Sequence, residues 1–372
     1  MPMVYAKSDV KSEKMAKDLE KVKERNNDLL LSIAQLCKRP NRTYPEVVFL
    51  LGLPGAGKSA IVNTIVKALC GKFYSKAVTG KGHAVSKTLI LQRLVRCGLQ
   101  ANEMEPIEKN ILKKGLSKLP TIIDAAGTGD EDSEKFKEIL RVYFGGFVPS
   151  GTSIQFVENL QKEHGIGTLQ YLLESSDENK VTKVVFVASC KQSFPEKLVE
   201  CLHSVLQEYD DRSGKPKYPV DVFVVITKYD LVKDQHIYEA RDKEEDYITE
   251  ECFEKFEAEV VNNFSIEGSK ENNCIRWVSY VDGHGSDNPH IDNIALRFVE
   301  KMMQPRRGHD YGRPSKEAAA NMPLVPMSKI LKLKAKKKMA EFLGVVDRKC
   351  LFIFALVVGL LAVFYQLLTK GL

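Results

Sequence analysis

Apolar residues along this chain follow three successive rhythms. Between residues 7 and 38 there is no Gly or Pro, and charged side chains dominate. Apolar residues there recur at Met15, Leu19, Val22, Leu29, Ile33 and Leu36, with Asn26 in the one remaining seat. The alternating steps of four and three form a heptad stripe and predict a charged amphipathic helix within residues 1–39. Two readings stand: the stripe packs on its own domain, or it pairs with a second copy as a coiled coil, where a single buried Asn can set register. Pro40 and Pro45 bracket a short linker. From Glu46 the rhythm changes to continuous apolar runs, at Val47–Leu51, Thr121–Ile123, Lys183–Ala188, Val220–Ile226 and Ile275–Val278. Such runs suit strands buried on both faces of a parallel sheet. Helical patterns lie between them, at Ala60–Leu69, Glu196–Tyr209 and Asp246–Asn262. The reading is an α/β domain over residues 45–304, three layers around a mainly parallel sheet, with extra chain near residues 130–180. Residues 305–328, with Pro305, Pro314, Pro323, Pro326, Gly308 and Gly312, read as a linker.

The third rhythm is the last one. Leu351–Leu368 is an uncharged run of 18 residues, which as a helix spans roughly 27 Å, close to a bilayer's hydrocarbon core. It predicts a transmembrane tail anchor over residues 350–369. Arg348 and Lys349 flank its start, so the body is expected in the cytosol. Strong hydrophobicity favours the endoplasmic reticulum over the mitochondrial outer membrane.

Charge changes the picture once it is located. The formal net charge is +6, and residues 329–349 alone hold eight Lys/Arg against two Asp/Glu. The body is close to neutral, which argues against a nucleic-acid partner. The basic juxtamembrane stretch either lies on anionic headgroups or forms a solvated stalk. The eight cysteines are scattered without a C-x-x-C pair, and residues 1–46 contain no secretory signal. Reduced intracellular thiols are expected, with neither a disulfide framework nor a zinc site.

The chemistry begins after the first strand. Gly52-Leu53-Pro54-Gly55-Ala56-Gly57-Lys58-Ser59, followed by Ala60, matches G-x-x-x-x-G-K-[ST] between a strand and a helix. Glycines let successive backbone N–H groups turn onto phosphates, and the helix start adds its positive dipole end. Lys58 is expected on the β- and γ-phosphates and Ser59 on Mg²⁺. Thr121–Ile123 leads into Asp124-Ala125-Ala126-Gly127. Asp124 would hold Mg²⁺ through water, and the Gly127 N–H would sense the γ-phosphate. Lys58, Ser59, Asp124 and Gly127 are the candidate catalytic residues. Thr79 and Thr88 are both candidates for a threonine closing on the metal.

The loop alone does not choose a nucleotide, because Gly-Leu-Pro-Gly-x-Gly-Lys-Ser also suits small-molecule kinases. Val222–Ile226 runs into Thr227-Lys228-Tyr229-Asp230, which resembles the guanine-specificity motif [NT]-K-x-D. A carboxylate there accepts from the guanine N1–H and 2-amino group, and adenine would leave it buried and unpaired. The Lys228 stem can lie over the base, and Ser279 is a candidate contact on a further loop. GTP and GDP are therefore the expected ligands. Thr128 stands where many small GTPases carry a water-orienting Gln. Turnover is expected to be slow or completed by a second copy or an effector. A scaffold that binds nucleotide without turnover and a P-loop kinase remain the alternatives.

The ordered set of motifs resembles the GTP-binding domain of the interferon-induced protein 44 family, a dynamin-related set. The likeness covers about residues 46–304. It rests on Gly52–Ser59, Ile122–Gly127, the run Val142-Tyr143-Phe144-Gly145-Gly146 with its polar insert, Val184–Ala188, Thr227–Asp230, and Trp277–Tyr280 leading to Asp292–Met303. Thr227 in place of Asn follows the dynamin-like pattern. The resemblance implies nucleotide contacts at Lys58, Ser59, Asp124 and Asp230, and a role in immune response. That family usually carries a different N-terminal domain and no membrane tail; tail anchors occur in the immunity-associated GTPases.

Overall fold

The continuous Val and Ile runs bury both their faces, and that places the sheet in the middle of the molecule. A computed structural model of the chain describes residues 5–39, 44–71, 73, 87–90, 116, 118–124, 132–149, 152, 154–211, 213–232, 247–264, 273–280, 287–304, 328–329, 331–333 and 335. Among the described residues six strands form one sheet: β1 (Val47–Leu51), β2 (Lys87–Ile90), β3 (Thr121–Asp124), β4 (Lys183–Ser189), β5 (Asp221–Thr227) and β6 (Cys274–Arg276), in the order β2-β3-β1-β4-β5-β6. Five of them run parallel, and only β2 is antiparallel, against β3.

Alternation within the strands builds two cores. Val47, Phe49 and Leu51 of β1, Val184, Phe186 and Ala188 of β4, and Val222, Val224 and Ile226 of β5 face one layer. Val48 and Leu50, Val185 and Val187, and Phe223 and Val225 face the other. The first layer contains α3 (Glu134–Phe144), α4 (Ile154–His164), α6 (Glu196–Leu206) and α7 (Glu250–Asn263), with the short α5 (Leu169–Leu172) beside them. The second contains α1 (Tyr5–Cys37), α2 (Lys58–Cys70) and α8 (Pro289–Met302). The architecture is thus α/β with helices on both faces.

The extra chain of residues 130–180 folds as α3 to α5 on the first face. Ser133 caps α3 by accepting from the Phe136 N–H (3.3 Å). The buried Glu138 carboxylate accepts from Gln161 Nε2 (2.7 Å) and from the Leu169 N–H (2.9 Å), so it ties the three helices together. Gly146 adopts φ 73°, and a Cβ there would meet the Ser176 carbonyl oxygen at 2.4 Å. The Gly-Gly pair is therefore a packing requirement of the insert.

Helix α1 lies on its own domain along its C-terminal half. Ile33, Leu36 and Cys37 enter the second core beside Ala295, Leu296, Val299 and Met302 of α8. Asn26 is buried, donating from Nδ2 to the Pro289 carbonyl (2.8 Å) and accepting from Asn293 Nδ2 (2.8 Å). Ser32 donates to Glu300.

Several expected boundaries shift. The last strand ends at Arg276 rather than Val278: the Trp277 N–H still bonds the Ile226 carbonyl (2.8 Å), but β5 ends at Thr227 and the Trp277 carbonyl accepts from Tyr229 beyond it (3.2 Å). Helix α6 stops at Leu206, and Tyr209 instead forms a bridge with Pro216. Thr88 falls within β2, a strand the apolar pattern did not mark, opposite Ile123. The predicted tail anchor at Leu351–Leu368 and most of the linker lie outside the described residues; among those described, no helix is long and apolar enough to cross a membrane. At the end of the linker and in the basic segment, residues 328–329, 331–333 and 335 are helical and Leu333 is buried.

Candidate functional site

The C-terminal ends of β1, β3, β4 and β5 converge on one loop. After Leu51 the chain turns through Gly52, Gly55 and Gly57, with φ of 157°, 76° and 98°, and enters α2 at Lys58. At Gly52 the constraint is contact: a Cβ would lie 2.3 Å from the Val187 carbonyl oxygen of β4. At Gly57, the N-cap of α2, a Cβ would meet the Thr227 side chain at 3.4 Å.

Lys58 is buried, and its ammonium donates to the carbonyls of Gly52 (2.8 Å) and Leu53 (2.9 Å). Burial pulls its pKa down to about 8, against the opposing charge of Asp124. A cation held this way, with neutral carbonyls as its bonded acceptors among the described residues, gains from an arriving anion. One residue on, Ser59 Oγ donates to Asp124 Oδ2 at 2.7 Å. A hydroxyl and a carboxylate in contact are hard oxygen donors of the kind Mg²⁺ takes, alongside water and phosphate oxygens. These residues fit that ion. No group of three or more His, Cys, Asp or Glu suited to a metal occurs among the described residues, so the fit rests on Ser59 and Asp124.

Thr227 closes the loop from the β5 side. Its Oγ1 donates to the Ala56 carbonyl (2.6 Å), with the Ala188 carbonyl at 3.3 Å. Lys228 follows in the left-handed region (φ 63°), the only non-glycine residue with positive φ among those described. That turn starts a single 3₁₀ turn, Tyr229–Leu231, on which Asp230 is buried. Cys190, after β4, bonds the carbonyls of Thr227 (3.2 Å) and Lys228 (3.4 Å). Its thiol is pushed up to about 11, first by burial and then by the charge of Asp230.

Of the sequence candidates, Gly52, Pro54, Gly55, Ala56, Gly57, Lys58, Ser59, Ala60, Asp124, Thr227, Lys228 and Asp230 all fall within this region of strand ends and loops. Gly127 and Thr79 lie outside the described residues. Ser279 accepts from Trp277 Nε1 at 2.9 Å, which fixes its orientation within the Trp277–Tyr280 loop. That loop touches the Asp230 turn, since the Tyr229 N–H donates to the Trp277 carbonyl (3.2 Å).

Three contributors were not read from the sequence. Gln192 Nε2 donates to the Pro54 carbonyl (2.8 Å) and so braces the loop from the β4 side. Its signal was available, because ligands of parallel sheets gather beyond strand C-termini and Gln192 is three residues past β4. The Thr64 hydroxyl accepts from the Tyr280 N–H (3.0 Å), joining α2 to the far loop. Lys67, also on α2, has its ammonium buried against Asp292 (2.8 Å), Asp287 (3.1 Å) and the Tyr280 hydroxyl (3.1 Å). Burial works to lower its pKa, but the bond and charge of Asp292 outweigh that and hold it at about 12.

A separate groove of about 600 Å³ runs along the β6 edge between α7 and α8, lined by Glu254, Glu257, Ile275, Arg276, Phe298 and Lys301 among others. Arg276 already clamps Glu257 there, at 2.8 and 2.7 Å. The groove contains none of the loop residues, so the strand-end cluster is the candidate site. No protein-family model matches the chain, and no curated protein matches it.

Proposed function

We propose that this chain binds a guanine nucleotide with Mg²⁺ and hydrolyses GTP to GDP. The observation that carries the reading is the junction of Lys58, Ser59 and Asp124. A lysine curled onto carbonyls of its own glycine loop lies one residue from a hydroxyl bonded to the strand-end aspartate. The loop N–H groups and Lys58 would hold the phosphates, and Ser59 and Asp124 would hold Mg²⁺, which supplies charge neutralisation when bound. Asp230 selects guanine by accepting its N1–H and 2-amino donors. The turn at Lys228 and the Thr227 bond to Ala56 support this role, because they fix the Asp230 turn to the phosphate loop. The resemblance to the interferon-induced protein 44 GTP-binding domain supports the same reading and extends it to immune response. With Thr128 in the place of a water-orienting Gln, turnover is slow unless a second copy or an effector completes the site. The Leu351–Leu368 run holds the protein on an intracellular membrane with the body in the cytosol.

The test is titration of the full chain with GTP and with ATP, each with Mg²⁺, beside Asp230→Ala. A GTP preference that falls at least tenfold in the variant supports the reading. Turnover per molecule that rises with protein concentration supports completion by a second copy. GTP binding without turnover at any concentration replaces hydrolysis with a scaffold role. An ATP preference untouched by the variant overturns the guanine reading in favour of a kinase.

A further inference from the structure

Besides packing along α8, helix α1 bonds the turn of α8 that also holds the Trp277–Tyr280 loop. Two successive carbonyls at the start of α8 are claimed from opposite sides. The Asn288 carbonyl accepts from the Tyr280 hydroxyl (2.8 Å), and the Pro289 carbonyl accepts from Asn26 Nδ2 of α1 (2.8 Å). One helical turn on, Asp292 bonds Lys67 of α2 and lies 3.1 Å from the Tyr280 hydroxyl, while Asn293 donates to Asn26. Tyr280 also receives the Asn288 N–H (3.1 Å), and its own N–H donates to Thr64. The first turn of α8 is therefore a joint between α1, the phosphate-loop helix α2 and the Trp277–Tyr280 loop.

Asn26 is the polar member of an otherwise apolar stripe, at a buried position where Leu would fit the pattern. A buried amide in such a seam costs stability and fixes register, and it is tolerated where both its donor and acceptor are bonded. Here the register it fixes is that of α1 on the α8 joint. The same stripe supplies Ile33 and Leu36 to the core, so α1 cannot dock on α8 and pair through those seats with a second copy at once.

We infer that Asn26 and Tyr280 are positioning residues for nucleotide binding, coupling the docking of α1 to the placement of the Trp277–Tyr280 loop. This rests on the nucleotide reading proposed above. The coupling is reciprocal: bound nucleotide tightens α1 on α8, and a docked α1 tightens nucleotide. Release of α1 frees its stripe and loosens the site together.

The experiment is hydrogen exchange on the full chain with and without saturating GTP and Mg²⁺, with Asn26→Leu and Tyr280→Phe alongside, after direct titration of each protein. Bound nucleotide is expected to slow exchange over residues 26–37 severalfold in the parent chain. Each variant is expected to weaken nucleotide binding about three- to tenfold and to remove the nucleotide-dependent protection of α1. The double variant is no weaker than the weaker single one, because both cut one connection. Asn26→Leu fits the apolar stripe but removes the partner of the Pro289 carbonyl and of the Asn293 amide, so its melting temperature is measured alongside. Loss of the nucleotide-dependent part of α1 protection, which a folding defect alone does not produce, separates positioning from mere folding. Unchanged exchange in α1 while nucleotide is demonstrably bound overturns the inference, as does unchanged affinity in Asn26→Leu. Failure of the parent chain to bind any nucleotide in the titration overturns the underlying reading and this inference with it.

Discussion

Lys58 sits where a positive charge is least comfortable without an anion. Its folded pKa lies near 8, set first by burial and opposed by Asp124, while an unfolded lysine titrates near about 10.4. Between those values the folded, ligand-free protein binds fewer protons than the unfolded chain, so this group makes stability rise with pH across that window. Lys58→Met is expected to lack that rise. Urea midpoints of the two proteins from pH 7 to pH 10.5 check it, and parallel curves would contradict the burial argument. At this scale the sequence displayed residues whose spacing is itself the signal: the glycines, Lys58 and Ser59 are neighbours in the chain. It concealed Lys67 and Tyr280, whose partnership spans 213 residues. Of Gln192 it displayed the place, just past the end of β4, but not the partner, because nothing in an isolated glutamine announces the carbonyl of Pro54.

Strand β1 was legible to the residue, since Val47–Leu51 is a closed apolar run between Glu46 and Gly52. Strand β6 was overrun because Trp277 and Val278 are as buried as strand residues but continue as loop. Strand β2 was missed because the four residues Lys87–Ile90 include only two strongly apolar side chains. Polar residues inside elements carried their own message. Lys183 and Asp221 face each other in register at the starts of β4 and β5, bonded at 2.7 Å and almost wholly buried. Asp221→Ala strands the lysine ammonium and is expected to cost about 3–5 kcal/mol, whereas the paired replacement Lys183→Met with Asp221→Leu approaches neutrality. Chemical denaturation of the single and double variants decides this, and a single variant as mild as the double would show that the pair carries no desolvated charge.

Across the whole molecule, the stripe on α1 told the truth about having a buried face but not about what it faces. Its partner, α8, begins at Pro289, more than 250 residues away, and no local pattern names a partner at that distance. The apolar run at Leu351–Leu368 argues from length alone, and our proposal of a tail anchor has a direct check. Full-length protein is expected to stay with membranes through alkaline carbonate washing, and a chain ending at Lys349 to leave them. Retention of the shortened chain would assign the attachment to the body or its basic segment instead.

The docking of α1 on α8 also imposes a schedule on synthesis. Helix α1 is made well before α8, the helix it packs against. At cellular translation rates, roughly 10–60 seconds separate the emergence of Cys37 from that of Met302. Throughout that interval Ile33 and Leu36 have no α8 to cover them, while the parallel strands between are still pairing one by one. The apolar face of α1 thus stays uncovered by α8 for most of the domain's synthesis, a handle for chaperones. The fold closes only when α1 and α8 meet.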